Sequence, residues 1–162
     1  MKIVESCRIP AAQRNDFFAE HWGSPKMVIS TGIYSSEALD GYAVLNDHGE
    51  IRGYITYVMH DDRCEVTSLD SLDENQGIGS ALLRRVEDTA RQAYRNSIQL
   101  ITTNDNLRAL LFYQKRGYQI IRIYPDAVEK ARALKPSIPL VSDQGIPIRD
   151  ELLLQKILIS HT

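Results

Sequence analysis

The sequence predicts a mixed α/β fold, in which a mostly antiparallel sheet contains one parallel strand pair and is flanked by helices. Three runs rich in β-branched and aromatic residues, at 41–45, 51–59 and 64–69, are separated by short polar turns, which is typical of an antiparallel meander. Apolar residues then recur every three to four positions from 77 to 95, which predicts an amphipathic helix before a strand at 97–102. This strand–helix–strand order favours parallel pairing of the two strands that flank the helix.

The remaining elements are predicted from the residues that begin or end them. Pro10 suits the first turn of a helix, and Gly23 ends that helix. Gly117 suits the position directly after a helix, whereas the apolar residues 27–33 fit either a strand or a helix. The other predicted elements are strands at 2–7, 118–124 and 150–159 and helices at 11–22, 106–116 and 126–134.

The composition is that of an ordinary globular protein. The 162 residues, of which 43% are hydrophobic and 25% charged, fit one domain spanning 1–162 rather than a disordered chain. A net charge of −2 without a basic block disfavours nucleic acid, and no apolar run reaches the roughly 20 residues of a membrane span. Glu5 and Arg8 interrupt any N-terminal signal, and Cys7 and Cys64 are too few for a disulfide framework or a zinc site. We therefore expect a cytoplasmic protein with reduced thiols and no metal.

The segment 69–82 connects a predicted strand to a predicted helix and has the character of a phosphate cradle. Gly77 and Gly79 let the backbone turn tightly and approach a ligand, and the helix start supplies N–H groups and a positive dipole end. A P-loop would need a lysine before Ser80, and a dinucleotide-binding turn would need a small residue in place of Leu82. The pyrophosphate of acetyl-coenzyme A and a helix start without a ligand remain as the other interpretations.

A second motif, within 106–118, favours the acetyl-coenzyme A interpretation. The two motifs together resemble the GNAT family of N-acetyltransferases. The loop pattern of the family is Gln/Arg-x-x-Gly-x-Gly/Ala, which residues 74–79 follow except that Glu74 replaces Gln or Arg. The resemblance covers about 2–124, and the tail 125–162 is less typical. The second family pattern, Asn-x-x-Ala-x-x-Leu/Phe-Tyr-x-x-x-Gly-Phe/Tyr, is matched at each marked position by Asn106, Ala109, Phe112, Tyr113, Gly117 and Tyr118.

The resemblance implies that acetyl-CoA binds where two parallel strands splay apart. The backbone of Ser68 and Leu69 would then contact the pantetheine arm, and Tyr113 would protonate the leaving thiolate. A tyrosine with an ordinary pKa of about 10 is protonated at neutral pH and suits that role. Lys115 or Arg116 could reach the 3′-phosphate. The other implied cofactor contacts are Asn75, Gln76, Gly77, Ile78, Gly79, Ser80, Asn106 and Phe112.

The implied reaction is direct transfer of the acetyl group to a primary amine of a small molecule or a peptide. A base must remove a proton from the amine, and Glu65 is the candidate because it lies on the strand that leads to the cradle. Strand alternation places Glu65 on the same face as Thr67 and Leu69. The reserve candidates for the base are His60, Asp61 and His21. The candidate acceptor contacts are His21, Trp22 and Asp150.

Other functions stay open beside this one. Transfer of a longer acyl group and a CoA-sensing module without turnover use the same cofactor site, and the presence of both Tyr113 and Glu65 favours the enzyme. A nucleotide-binding regulatory domain is disfavoured by the missing P-loop lysine and the missing third glycine. The family often pairs through its last strand, so the resemblance also allows a homodimer.

Overall fold

The computed structural model describes residues 2–23, 26–29, 32–35 and 38–158. In these ranges the strands are β1 (Lys2–Glu5), β2 (Lys26–Ile29), β3 (Gly32–Ser35), β4 (Asp40–Leu45), β5 (Ile51–Met59), β6 (Arg63–Ser71), β7 (Ser97–Thr103), β8 (Gln119–Tyr124) and β9 (Glu151–Ile157). The helices are α1 (Ala11–Trp22), α2 (Ile78–Gln92), α3 (Leu107–Lys115) and α4 (Ala127–Leu134). The ambiguous segment 27–33 falls on β2 and β3, and residues 30 and 31 lie outside the described residues.

Seven of the strands form one mixed sheet in the order β1-β4-β5-β6-β7-β9-β8, and β2 and β3 form a two-stranded sheet. The pairs β1–β4, β4–β5, β5–β6 and β8–β9 are antiparallel. The Asn96 N–H, just before β7, donates to the Asp62 carbonyl, just before β6, at 2.9 Å. The two neighbouring strands therefore start at the same end and run parallel. The predicted mixed sheet with a parallel pair is confirmed.

The described residues divide into two compact units. Unit 1 holds the described residues of 1–27, 34–98 and 158, and so contains β1, β4, β5, β6, α1 and α2. Unit 2 holds the described residues of 28–33 and 99–157, and so contains most of β7 together with β8, β9, α3 and α4. The boundary between the units divides both β2 and β3. None of the described helices combines the length and the apolar character needed to cross a bilayer.

Helices α1 and α2 cover opposite faces of the sheet in unit 1. Phe17 and Phe18 of α1 pack against Tyr54 of β5, with ring centroids 5.6 and 4.8 Å from the Tyr54 ring. Gly53, which precedes Tyr54, faces the opposite side of the sheet. A Cβ atom at Gly53 would lie 2.4 Å from Cγ2 of Ile78 in α2. The missing side chain at Gly53 therefore lets the first turn of α2 lie directly on the sheet.

The glycine signals at the helix ends are confirmed. Gly23 follows α1 with φ of 75°, and Gly117 follows α3 with φ of 93°, both in the left-handed region that glycine reaches without strain. At the C-terminal end of α3, the Gly117 N–H donates to the Gln114 carbonyl and the Tyr118 N–H donates to the Tyr113 carbonyl. This pair of bonds is the Schellman arrangement, which turns the chain out of the helix and into β8.

The predicted end of α2 at residue 95 is wrong by three residues. The helix ends at Gln92, and Tyr94 has a left-handed φ of 59°. The Arg95 side chain leaves the helix axis and donates through Nε to the His60 carbonyl at 2.6 Å. The apolar period continues to Ala93, whereas the left-handed Tyr94 and the contact of Arg95 with a distant turn follow the end of the helix.

Candidate functional site

The loop between β6 and α2 forms an exposed start to the helix, as the glycine pair predicts. Gly77 precedes the first helical residue with φ of 73°, and Asn75 is also left-handed with φ of 60°. Two of the three residues 75–77 are therefore left-handed, and they turn the chain sharply from the strand into α2. The first turn of a helix has N–H groups without helical partners, so the backbone of Ile78 and Gly79 provides donors of the kind that an anion needs.

An ion pair that the sequence did not reveal fastens this loop to β5. The Arg52 guanidinium donates two hydrogen bonds to the Asp73 carboxylate, at 2.9 and 2.6 Å. The Leu72 N–H donates to the Arg52 carbonyl at 2.9 Å, which holds the same two segments through the backbone. The hydrogen bonds from Arg52 hold the pKa of Asp73 below its usual range. A cavity of about 770 Å³ adjoins this pair and is lined by Lys2, Asn46, Arg52, Asp73, Gln76 and Ile78, among others.

Strand β6 contains a bulge, which changes the direction of its side chains. In the register with β5, Thr56 lies opposite Ser68 and Tyr57 lies opposite Val66, so Thr67 is an extra residue. Consecutive hydroxyl groups consequently reach the same partner. Oγ1 of Thr56 lies 2.7 Å from Oγ1 of Thr67 and 2.5 Å from Oγ of Ser68.

The bulge corrects the expected alternation along β6. Glu65 lies opposite Val58, and Leu69 lies opposite Ile55. Because Val58 and Ile55 are three residues apart on one strand, their side chains point to opposite faces, and so do those of Glu65 and Leu69. The expectation that Glu65 and Leu69 share a face is therefore wrong, whereas Glu65 and Thr67 do share one.

Glu65 and His60, two of the candidate bases, are in direct contact. The Glu65 side chain is almost completely buried, with 3% exposed, and its Oε1 lies 2.9 Å from His60 Nε2. The His60 side chain is 30% exposed, so the histidine connects the buried Glu65 carboxylate to solvent. Asp61, another reserve candidate, is exposed in the turn after β5.

A carboxylate that sequence reasoning missed, that of Asp70, contacts one of the predicted acceptor contacts and is influenced by the charge of a second. The Trp22 indole N–H donates to Asp70 Oδ2 at 3.3 Å. The His21 ring lies 4.3 Å from the Phe17 ring, one residue before Trp22 in the last turn of α1. Burial raises the pKa of Asp70 above its usual range, while the Trp22 hydrogen bond and the His21 charge oppose that rise. No pattern in the sequence links Asp70 to Trp22, which is 48 residues away.

The two cysteines differ in exposure. Cys64 is completely buried, and burial raises the pKa of its thiol to about 12, so it stays protonated at neutral pH. Cys7 is exposed, with its Sγ 3.6 Å from a carboxylate oxygen of Glu5. Among the described residues, no group of three or more His, Cys, Asp or Glu side chains is placed to hold a metal ion.

In unit 2, the second motif forms a capped helix with a buried tyrosine. Oδ1 of Asn106 accepts the Ala109 N–H at 3.1 Å, so this oxygen caps α3 and the side-chain NH₂ group is left to contact a ligand. Tyr113 is buried, and its ring meets those of Phe112 and Tyr118 edge-on, at centroid distances of 5.2 and 5.6 Å. The Arg116 guanidinium lies 3.7 Å from the centroid of the Phe112 ring.

Asp150, the third predicted acceptor contact, joins three segments of unit 2. Its carboxylate accepts the Asp126 N–H at 2.9 Å and two bonds from the Arg149 guanidinium, at 2.9 and 3.0 Å. Its own N–H donates to Oδ1 of Asn104 at 2.9 Å. The Arg149 bonds, followed by the Asp126 bond, lower the pKa of Asp150. These contacts give the residue a structural role, and its role toward an acceptor stays a prediction.

Comparison with known proteins identifies similar sequences and folds. The sequence profile of the acetyltransferase (GNAT) family matches residues 11–118. The uncharacterized protein YxbD of Bacillus subtilis (strain 168) is 55% identical over 156 residues, which cover 96% of this chain and 98% of that protein. The structure of a GNAT family acetyltransferase from Elizabethkingia anophelis with acetyl-CoA bound has a TM-score of 0.70 at 20% identity, covering 96% and 98% of the two chains. A Bacillus subtilis acetyltransferase in complex with CoA has a TM-score of 0.71 at 17% identity, covering 98% and 99%.

Proposed function

Because the chain belongs to the GNAT acetyltransferase family, we propose that it moves the acetyl group of acetyl-CoA directly to a primary amine of a small molecule or a peptide. The observation that carries the proposal is the loop before α2, where left-handed Asn75 and Gly77 present the start of the helix to an anion. Glu74, the departure from the family pattern, is exposed, so its carboxylate can point away from a bound phosphate.

The residues present fit the pyrophosphate and the pantetheine arm of acetyl-CoA. Backbone N–H groups at the start of α2 would bind the pyrophosphate. The positive end of the helix dipole would strengthen their attraction for this anion. Asn106 would donate from its side-chain NH₂ group, since its oxygen already caps α3. The other proposed contacts are the backbone of Ser68 and Leu69, the loop residues Asn75, Gln76, Gly77, Ile78, Gly79 and Ser80, and the ring of Phe112.

The proposed chemistry takes two protons from the amine and gives one to the departing thiolate. Most amines are protonated at neutral pH, so Glu65 accepts a proton from the amine, and its contact with His60 offers a route for that proton to solvent. The nitrogen lone pair then forms the new C–N bond at the thioester carbonyl, the nitrogen gives its second proton to Glu65 once the first has left through His60, and the C–S bond breaks. The Tyr113 hydroxyl donates a proton to the departing thiolate and is reprotonated from solvent.

Calorimetric titration with acetyl-CoA tests the proposed cofactor. We expect one binding site per chain with micromolar or tighter affinity, and weaker binding of CoA that lacks the 3′-phosphate. A panel of primary amines, followed by thiol release, then tests transfer. Tight binding without thiol release from any amine would favour a CoA-sensing module, and release only from longer acyl-CoA thioesters would favour a different acyl group. Failure to bind either form of CoA would contradict the proposal.

Replacing Tyr113 by phenylalanine tests the proposed acid. We expect turnover to fall roughly 10²–10⁴-fold, the usual contribution of a general acid or base, while acetyl-CoA affinity stays unchanged. Tyr118→Phe is the matched control, because Tyr118 is also buried and its ring lies against that of Tyr113. Equal turnover of the Tyr113 variant and the parent protein would remove Tyr113 from the mechanism.

A further inference from the structure

The carboxylate of Asp70 lies beside the only tryptophan of the chain and is partly buried. We propose that Asp70, oriented by Trp22, binds a positively charged amino group of the acceptor. This inference rests on the proposed function, because it names a recognition residue and the charge state of the substrate for the same reaction. The acceptor then carries, beside the amine that reacts, a further amino group that arrives as an ammonium ion.

The hydrogen bonding of Asp70 leaves room for such a ligand. Trp22 donates to Oδ2 at 3.3 Å, and no other side chain among the described residues donates to this carboxylate. The indole fixes the orientation of the carboxyl group, because Phe18 in turn packs on the Trp22 ring at a centroid distance of 4.3 Å. Oδ1 is left to accept a hydrogen bond, and an ammonium group supplies up to three donors.

The electrostatics of the site favour a cation. An ionised carboxylate in a partly buried position is costly without a positive partner, and its attraction for a cation is stronger there than in water. Among the described residues, His21 of α1 is the charged group that acts on the pKa of Asp70, and Tyr54 lies directly opposite Asp70 on β5. Arg14 of α1 acts on the pKa of Tyr54 and is not among the groups that shift the pKa of Asp70. An ammonium ion would therefore supply a direct positive partner.

Asp70 and the Glu65–His60 pair perform separate tasks in this proposal. The two carboxylates share one face of β6, since their partners Val58 and Tyr54 are four residues apart on β5. At about 3.4 Å per residue, the two positions lie roughly 14 Å apart along the strand. Asp70 therefore acts in binding, and its loss should raise KM for the acceptor and leave kcat less affected.

The test uses the fluorescence of Trp22, which is the only tryptophan and therefore reports on this site alone. The full-length protein is titrated with n-butylammonium chloride at neutral pH, and separately with 1-butanol and with sodium chloride of equal ionic strength. We expect a saturable change with the ammonium ion only. In Asp70→Asn the apparent affinity should fall about tenfold or more, since a hydrogen bond to a charged group is lost. The response of the parent protein should also disappear as the pH falls through the raised pKa of Asp70.

Two controls make the result decisive. Asp88→Asn removes an exposed carboxylate on α2, of which 56% is accessible, and should respond as the parent does. Asp70→Glu keeps the charge and should recover part of the response, which a purely structural role would not give. Thermal melting checks the fold of each variant. Asp70→Asn is expected to fold, because a group whose pKa is raised by burial is destabilising when ionised at neutral pH.

The outcomes separate this inference from the proposed function. A response to n-butylammonium that survives in Asp70→Asn, or that equals the sodium chloride response, would overturn the inference even if amines are acetylated. A response that depends on Asp70, in a protein that acetylates no amine, would support the ammonium site and contradict the proposed reaction.

Discussion

Glu65→Gln is expected to lower kcat/KM for amine acetylation roughly 10²–10⁴-fold, the range for loss of a general base. The glutamine amide has the same shape and can still bond to His60, but it cannot accept a proton. Acetyl-CoA affinity, measured by calorimetry, should be unchanged, because the proposed base acts on the amine. The loss should be largest at pH values below the pKa of the acceptor amine and should shrink as the pH rises above it.

Glu87→Gln is the matched control for this prediction. Glu87 is also a buried glutamate of unit 1, but it lies on α2, which packs on the face of the sheet opposite to that of Glu65. If both variants lose activity equally, the effect comes from disturbance of the fold. If the pH–rate profile of Glu65→Gln equals that of the parent, the base is another group, and His21 or Asp61 becomes the next candidate.

Gly53→Ala is expected to lower both the stability of the protein and its affinity for acetyl-CoA. A Cβ atom at this position would lie 2.4 Å from Ile78 Cγ2 and 3.2 Å from Leu82 Cδ1, so α2 must move away from the sheet. Such overpacking costs about 1–3 kcal/mol, which corresponds to a fall of roughly 2–12 °C in melting temperature for a protein of this size. The same displacement moves the start of α2, on which the proposed pyrophosphate contacts depend.

Gly41→Ala separates the two effects. A Cβ atom at Gly41 would lie 2.4 Å from the Ile55 carbonyl oxygen, inside the sheet and away from α2. This variant should lose stability while its remaining folded fraction binds acetyl-CoA normally. The double variant Gly53→Ala/Ile78→Ala removes the clashing methyl group and should recover part of the lost affinity. An unchanged Kd for Gly53→Ala would contradict the proposed link between the glycine and the cradle.

Local patterns predicted most of the elements but not the direction of side chains in β6. Strand β5 has the predicted bounds because polar turns flank a continuous apolar run. In β6, four consecutive residues from Cys64 to Thr67 are buried, since both faces of the strand are covered. Without alternation between buried and exposed positions, no signal marks the bulge at Thr67, and the extra residue moves Leu69 to the opposite face.

The candidate site was predicted where its motifs are local and missed where it depends on distant pairs. The cradle and the cap at Asn106 are encoded within a few residues. In contrast, Arg52–Asp73 and Trp22–Asp70 join residues 21 and 48 positions apart. Aspartate in a loop or near a strand end is common, and only the folded chain shows which ones have a partner.

The contrast between the two cysteines affects how activity would be measured. Reagents that detect coenzyme A through its free sulfhydryl also react with accessible protein thiols, and they react through the thiolate form. Exposed Cys7 should therefore add a fixed background of one equivalent per chain, whereas Cys64, with a pKa of about 12, should stay silent until the protein unfolds. The same difference makes Cys7 a single attachment point for a dye or a solid support, and makes the delayed reaction of Cys64 a chemical signal of unfolding.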